Sequence, residues 1–282
     1  MKTTYVVYLL FAVVFGTLLF HIWSPWWFTP LASNWSSIDF AILVTFWVTG
    51  FVFLALGGFM VYCVWKYRHQ RNRKAEYKPE DKKLEFILVL VSAIAVVVLL
   101  APGLSVWGDY IKVPKGAVKV EVLSYQWGWN YRLAGEDGVL GTTSIHNISD
   151  ENPYGLDLND PNGKDDLMVQ DADLHLQIDK SVELLLRSID VIHNFYVPEF
   201  RAKMDMVPGL VTYYWITPTK TGEYEILCAE LCGTGHYAML GIVSVDKKSD
   251  YSNWLAQQIT FESTLAQNKI KNKTIQLAEN TK

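Results

Sequence analysis

The sequence predicts an α-helical membrane anchor of two to three transmembrane helices followed by an all-β sandwich. Three observations carry this expectation. Hydrophobic residues make up 50% of the 282 residues, and they crowd into the first 107 positions. Three apolar runs in that region are each long enough to cross a hydrocarbon core of roughly 30 Å as a helix. From Val118 onward the apolar runs shorten, alternate and are separated by turn residues, with no helical pattern between them.

The runs are Thr3–Trp23, Ile38–Trp65 and Leu84–Trp107, which places helices at about 3–23, 38–65 and 84–107 within an anchor spanning 1–107. Trp23, Trp26, Trp27, Trp35 and Trp107 gather at the ends of these runs, as aromatic belts do. The loop Lys66–Lys83 carries eight Lys or Arg against three acids, so it belongs on the cytoplasmic side and everything after Trp107 outside. The first run reads as a retained helix. Its alternative is a cleaved leader, since Lys2 precedes the apolar stretch, but no small-x-small cleavage site follows directly. Pro102 marks a kink or terminator in the last run. Cys63 reads as inert packing.

The β domain spans 108–248. Its strand candidates are Val118–Leu133, Leu174–Ile178, Val182–Ser188, Leu210–Pro218, Tyr224–Cys228 and Leu240–Val245, with turns at Asp179-Lys180 and Thr219–Gly222. An acidic insertion at about 132–180 holds eleven acids and three bases, either a solvated loop or a face that steers a basic partner. Within it, Asp157–Asp166 is oxygen-rich, yet Pro161 breaks EF-hand spacing. In the tail, 249–282, Tyr251, Trp254, Leu255, Phe261 and Leu265 share one face at helical spacing and predict an amphipathic helix. His21, His69, His146 and His175 have no partner at ligand spacing. A net charge of −4 gives no basis for a nucleic-acid partner.

The chemistry concentrates in Cys228–Met239, which reads Cys-Ala-Glu-Leu-Cys-Gly-Thr-Gly-His-Tyr-Ala-Met. The chain has three cysteines, and two of them stand four apart here, with His236 and Met239 following. Thiolate, imidazole and thioether form a soft donor set suited to copper. Adding His193 gives two Cys, two His and one Met, enough to bridge and complete two coppers. A structural disulfide would leave His236 and Met239 unexplained, and tetrahedral zinc has little use for Met.

The pattern His193…Cys228-x-Glu230-x-Cys232-x-x-x-His236-x-x-Met239 resembles the binuclear copper (CuA) motif of cytochrome c oxidase subunit II. That resemblance implies a cupredoxin-like Greek-key sandwich, with both cysteines bridging the coppers and one His on each. It further implies weak axial ligation by Met239 and the Glu230 carbonyl, and a magnesium ion at Glu230 shared with subunit I. His193 is expected on a turn separate from the copper loop.

Three more residues take roles from the same resemblance. Trp127, in Gln126-Trp127-Gly128-Trp129, matches the tryptophan that receives electrons from cytochrome c, although Gly128 replaces the family's usual aromatic. Asp190 matches a carboxylate that helps dock cytochrome c. Glu85 matches the entrance of a proton pathway, with an interfacial partner of Lys82 or Lys83 as the plainer reading. The implied protein is the electron-accepting subunit of a haem-copper oxidase. It would be a multi-pass protein of the bacterial inner membrane with its copper domain on the periplasmic side, working with subunit I, other oxidase subunits and cytochrome c. The CuA subunit of a nitric oxide reductase and a membrane-anchored copper carrier are the alternatives. A quinol oxidase subunit II would lack the ligands present here. Arg201 could lie near the docking face.

Overall fold

The structure is a computed structural model and describes residues 3–24, 29–74, 77–149, 152–170 and 173–267. The chain divides into two units: Met1–Phe28 with Ser37–Trp107, and Thr29–Ser36 with Gly108–Lys282.

The first unit consists of three helices, each long and apolar enough to cross a membrane: α1 (Thr3–Trp23), α2 (Ser36–Lys66) and α3 (Lys82–Tyr110). Their surfaces are apolar all round, as lipid requires. Asp81 starts α3 by accepting the Leu84 N–H at 3.1 Å on Oδ1. Pro102 lies inside α3 and does not end it. Trp23 and Trp107 are exposed, as a lipid-facing belt demands, whereas Trp26 and Trp27 lie outside the described residues.

Trp35 departs from the belt reading. It is 2% exposed and belongs to the β unit, where its ring packs 5.0 Å from that of Trp215 and 5.3 Å from that of Tyr110. Its indole N–H donates to the Trp215 carbonyl at 3.0 Å. The cause is local chain pairing: Asn34 N–H donates to Thr217 O and Thr219 N–H to Ala32 O, which stitches the 29–36 segment along the end of a strand.

That unit is a sandwich of two sheets. One has the order β11 (Ile259–Thr260), β3 (Leu167–Gln170), β2 (Gly128–Leu133), β1 (Val118–Tyr125), β5 (Val182–Ser188) and β8 (Thr212–Ile216). The other has the order β4 (Leu174–Gln177), β10 (Leu240–Asp246), β9 (Gly222–Cys228), β6 (His193–Tyr196) and β7 (Lys203–Met206). The pairs β1–β5 and β10–β4 are parallel and the rest antiparallel, the non-sequential order of a Greek-key, cupredoxin-like sandwich. Alternation supplies the core: Val120, Val122, Leu184, Leu186, Tyr214 and Ile216 are all essentially inaccessible.

The run Val118–Leu133 is two strands, because it turns back at Gln126-Trp127 to pair Tyr125 with Gly128. The acidic insertion is more ordered than a solvated loop. It contains β3 and β4, and its Tyr154 and Leu156 pack with Leu123, Met168 and Phe261 into a small core. The tail is not one continuous helix over its described part. The helix α4 (Lys248–Leu255) stops, β11 pairs Ile259 with Met168, and a second helical stretch covers residues 261–267. β-branched Ile259 and Thr260 favour the strand, and the pairing delivers Phe261 to the core. Residues 268–282 lie outside the described residues. His175 does have a partner: its Nδ1 lies 2.5 Å from Asp246 Oδ2, and its ring stacks on Trp254 at 4.6 Å.

Among the described residues of this unit, four charged residues are buried. Arg132 donates from Nε to Glu121 at 2.6 Å and from its guanidinium to Asp166 and to the Gly141 carbonyl. Arg187 donates to the other Glu121 oxygen at 2.9 Å and to the Tyr154 carbonyl at 3.0 Å. The charges balance, and the network ties the insertion to the sheet. Arg132→Met would leave Glu121 half-paired and Asp166 buried without its cation, a cost of about 3–5 kcal/mol. Thermal unfolding of the detergent-solubilised chain, followed by near-UV circular dichroism, should show a lowered midpoint, whereas an unchanged midpoint would refute a structural role for the network.

Candidate metal centre

The stretch from Cys228 to Met239 connects β9 to β10, and the antiparallel pairing of those strands closes it at the base. Leu240 stands opposite Leu227, and the Cys228 N–H donates to the Met239 carbonyl at 3.4 Å. Gly233 supplies a backbone φ of 118° that other residues rarely adopt, and His236–Ala238 form a single 3-10 turn.

This closure gathers the donors. The two Sγ atoms are 3.7 Å apart, far beyond the roughly 2.05 Å of a disulfide, so both cysteines are free thiols. His193 Nδ1 lies 3.8 Å from Cys228 Sγ, and His236 Nδ1 lies 3.6 Å from Cys232 Sγ. Met239 Sδ is 3.8 Å from Cys232 Sγ, and the Glu230 carbonyl is 3.2 Å from Cys228 Sγ. Donors sharing a metal at 2.0–2.3 Å stand roughly 3.5 Å from one another, so these separations fit bound metal. Among the described residues, His193, Cys228 and Cys232 are the one group of three or more His, Cys, Asp or Glu whose ligand atoms converge this closely. Two sulfurs in the middle with one imidazole on each is the order a bridged pair of soft metals requires, and a thioether argues for copper over zinc.

Burial, followed by the neighbouring Cys228 thiol, pushes Cys232 up to about 11, so metal must displace thiol protons on binding. His193 is not on a turn. It is the first residue of β6 and fully buried, since β6 pairs with both β7 and β9 and carries the ring in from the sheet. Asp190 orients that ring, with Oδ1 2.9 Å from Nε2. Asp190 also accepts the Gln126 N–H at 2.6 Å and the Val191 N–H at 2.7 Å. Burial alone would raise the Asp190 carboxyl, but the His193 contact and these N–H donors outweigh it and hold it below its ordinary value. An ionised carboxylate only accepts, so Nε2 carries the ring proton and the Nδ1 lone pair faces Cys228.

Trp127 lies against the loop and is 42% exposed. Its indole N–H donates to the Cys232 carbonyl at 3.3 Å, and Gln126 Nε2 donates to the same carbonyl at 2.7 Å. The fit is close: a Cβ at Gly235 would sit 2.4 Å from Trp127 Cδ2. Gly128 has a comparable cause, because a Cβ there would fall 2.6 Å from Tyr125 Cζ. Trp129 is buried and stands edge-on to the rings of His193 and Phe195.

Gly235 escaped the sequence reading of the site, and Gln126 and Trp129 entered it only as part of the stretch around Trp127. The density of Gln126–Trp129 was the available signal, but not which of its atoms meets the loop. Glu230 contributes its carbonyl, while Glu85 lies on the exposed first turn of α3, in the other unit. Arg201 adopts a left-handed conformation and grips Thr29 O at 2.6 Å and Pro198 O at 2.7 Å, a structural clasp of the 29–36 segment.

A membrane-anchored, cupredoxin-like domain with paired thiols and flanking imidazoles defines a class, and comparison with known proteins identifies it. Residues 118–246 match the family profile described as cytochrome c oxidase subunit II, periplasmic domain. The chain is 53% identical over 262 residues to the alternative cytochrome c oxidase subunit 2 of Bradyrhizobium diazoefficiens, covering 93% of this chain and 95% of the relative. It is 27% identical over 226 residues to cytochrome c oxidase subunit 2 of Cereibacter sphaeroides, 75% of each. Among solved structures it is similar to the periplasmic domain of subunit II of cytochrome oxidase of Bradyrhizobium japonicum, at 24% identity and a TM-score of 0.38, over 51% of this chain and 95% of that one. The chain belongs to the cytochrome c oxidase subunit II family. It is therefore a subunit of a haem-copper oxidase, and the family implies a copper centre.

Gly235→Ala tests the packing that holds the loop. The added methyl must displace the Trp127 indole, which should destabilise the β unit by about 1–3 kcal/mol. The midpoint of chemical unfolding checks this, and a variant as stable as the parent would show that Trp127 is not seated on the loop.

Proposed function

We propose that this chain is the electron-accepting subunit of a bacterial haem-copper oxidase. It takes electrons from cytochrome c and passes them to haem in subunit I, where oxygen is reduced to water with proton translocation. The observation that carries the proposal is the paired thiol geometry, two sulfurs 3.7 Å apart with one imidazole beside each. Two coppers held there would share one electron across both sulfurs, so little rearranges on transfer.

Cys228 and Cys232 would hold the coppers through their thiolates, His193 and His236 through one imidazole each, and Met239 and the Glu230 carbonyl would complete the donor set. Asp190 fixes the His193 ring, and the outer part of its side chain, 28% exposed, faces an incoming basic partner. Trp127 presents its exposed edge to cytochrome c while its N–H reaches the backbone of a ligand. The Glu230 carboxylate would hold magnesium jointly with subunit I. Glu85 opens a proton path into subunit I, a role supported by the full exposure of α3 over residues 82–94, which leaves that surface for another subunit. The loop at 66–83 is cytoplasmic and the copper domain periplasmic, in the inner membrane.

The direct test is electron paramagnetic resonance on the purified oxidase. A seven-line hyperfine pattern from one electron shared by two equivalent coppers is expected. A four-line signal from a single copper, or no bound copper, would overturn the proposal. Two substitutions separate the roles. Trp127→Phe should slow reduction by cytochrome c while leaving the spectrum unchanged. Asp190→Asn should weaken copper retention roughly 10–100-fold and alter the hyperfine pattern. The same response from both variants would count against this division.

A further inference from the structure

Within the helical unit, α1 meets α2 at Gly57, and the spacing of its half-buried residues matches that of α2. The half-buried positions of α1 are Val7, Leu10, Val14 and Leu18, with Val6 at the margin, a stripe at helical spacing. Over its cytoplasmic half, α2 shows a stripe of Gly50, Gly57, Val61 and Val64, with Cys63 beside it. Read in opposite directions, 7-10-14 matches 64-61-57 step for step, as two antiparallel helices require.

The centre of the match is Gly57. It is the buried residue of α2, and a Cβ built on it would lie 2.8 Å from Val14 Cγ2. Toward the other end, the His21 ring lies 5.9 Å from that of Phe46. The opposite face of α1, with Tyr5, Tyr8, Phe11 and Phe15, is exposed.

A glycine inside a helix is destabilising relative to alanine. In membranes the cost is offset where the missing side chain lets a second helix approach. Here the notch admits Val14. A leader peptide, by contrast, departs after export and gains nothing from a complementary surface on the next helix. Leaders also carry apolar cores of about 7–15 residues, whereas α1 is 21 residues long.

We propose that α1 is a permanent third membrane helix of the mature protein, seated on α2 through the Gly57 notch. It occupies the α2 surface at Gly57, so other subunits must pack elsewhere. The inference is independent of the copper chemistry.

Intact-mass spectrometry of this subunit, released from the purified oxidase, tests retention without any substitution. The expected mass is one that includes residues 3–23 of α1. A chain beginning after Trp23 would overturn the proposal. Cysteine pairs test the seat: in isolated membranes under mild oxidant, Val14→Cys with Gly57→Cys should cross-link efficiently. Val14→Cys with Phe51→Cys, aimed at an outward position of α2, should cross-link at least tenfold less. Equal yields from both pairs, or none from the first, would refute the packing.

Discussion

The candidate metal centre rests on the pairing of three adjacent strands. β9 ends in Cys228, β10 starts after Met239, and β6 begins with His193, so the ladder among them sets how far the ligands can stray. Phe195 is registered with Cys228, and the Ala229 N–H donates to the Asn194 carbonyl at 3.2 Å, which pins the start of the loop to β6. A slip of one residue in β6 would turn His193 to the opposite face of the sheet and remove a ligand. The loop needs little rigidity of its own because both of its ends are already fixed.

The acids of the insertion illustrate a second constraint. In sequence they read as a charged face. In the structure Asp166 is buried on Arg132, Asp160 accepts from the Thr142 and Asn162 N–H groups, and Asp157 and Asp137 each accept an N–H two residues ahead. Much of this negative charge therefore builds the loop. The Thr142 N–H and hydroxyl hold the exposed Asp160 carboxyl below its ordinary value, and the Asn162 N–H adds to this, so the turn is secure above the normal carboxylate range and loosens in acid below it.

The sequence made the helices and the ligands legible for different reasons. An uncharged run of about 20 residues has few fates besides a membrane helix. The donors at 228, 232, 236 and 239 are close enough in the chain for spacing alone to imply a shared site. What stayed hidden depended on long-range pairing. β3, β6, β7 and β11 are two to four residues long, too short for periodicity to register. Trp35 looked like a belt residue because it stands just before an apolar run, with Trp26 and Trp27 a few residues upstream, and only the pairing of Ala32 and Asn34 with Thr219 and Thr217 takes it into the β unit. Asp190 was legible as a residue near the site, but its grip on His193 depends on where the chain bends after β5.

Burial gives the centre two unlike ends. His193 and Met239 are fully enclosed, Cys232 is 2% exposed, and Trp129 and Phe195 wall off the His193 side. His236 is only half-buried, and its neighbour Tyr237 and the loop residue Leu231 stand more than 80% exposed. Enclosure of the sulfurs limits access of oxidants to them and lowers the local dielectric, which strengthens each hydrogen bond around them. Large apolar side chains left bare beside a ligand are costly in water and are tolerated where a partner covers them. The closed end is thus determined by this chain alone, while the open end leaves Leu231 and Tyr237 bare beside His236.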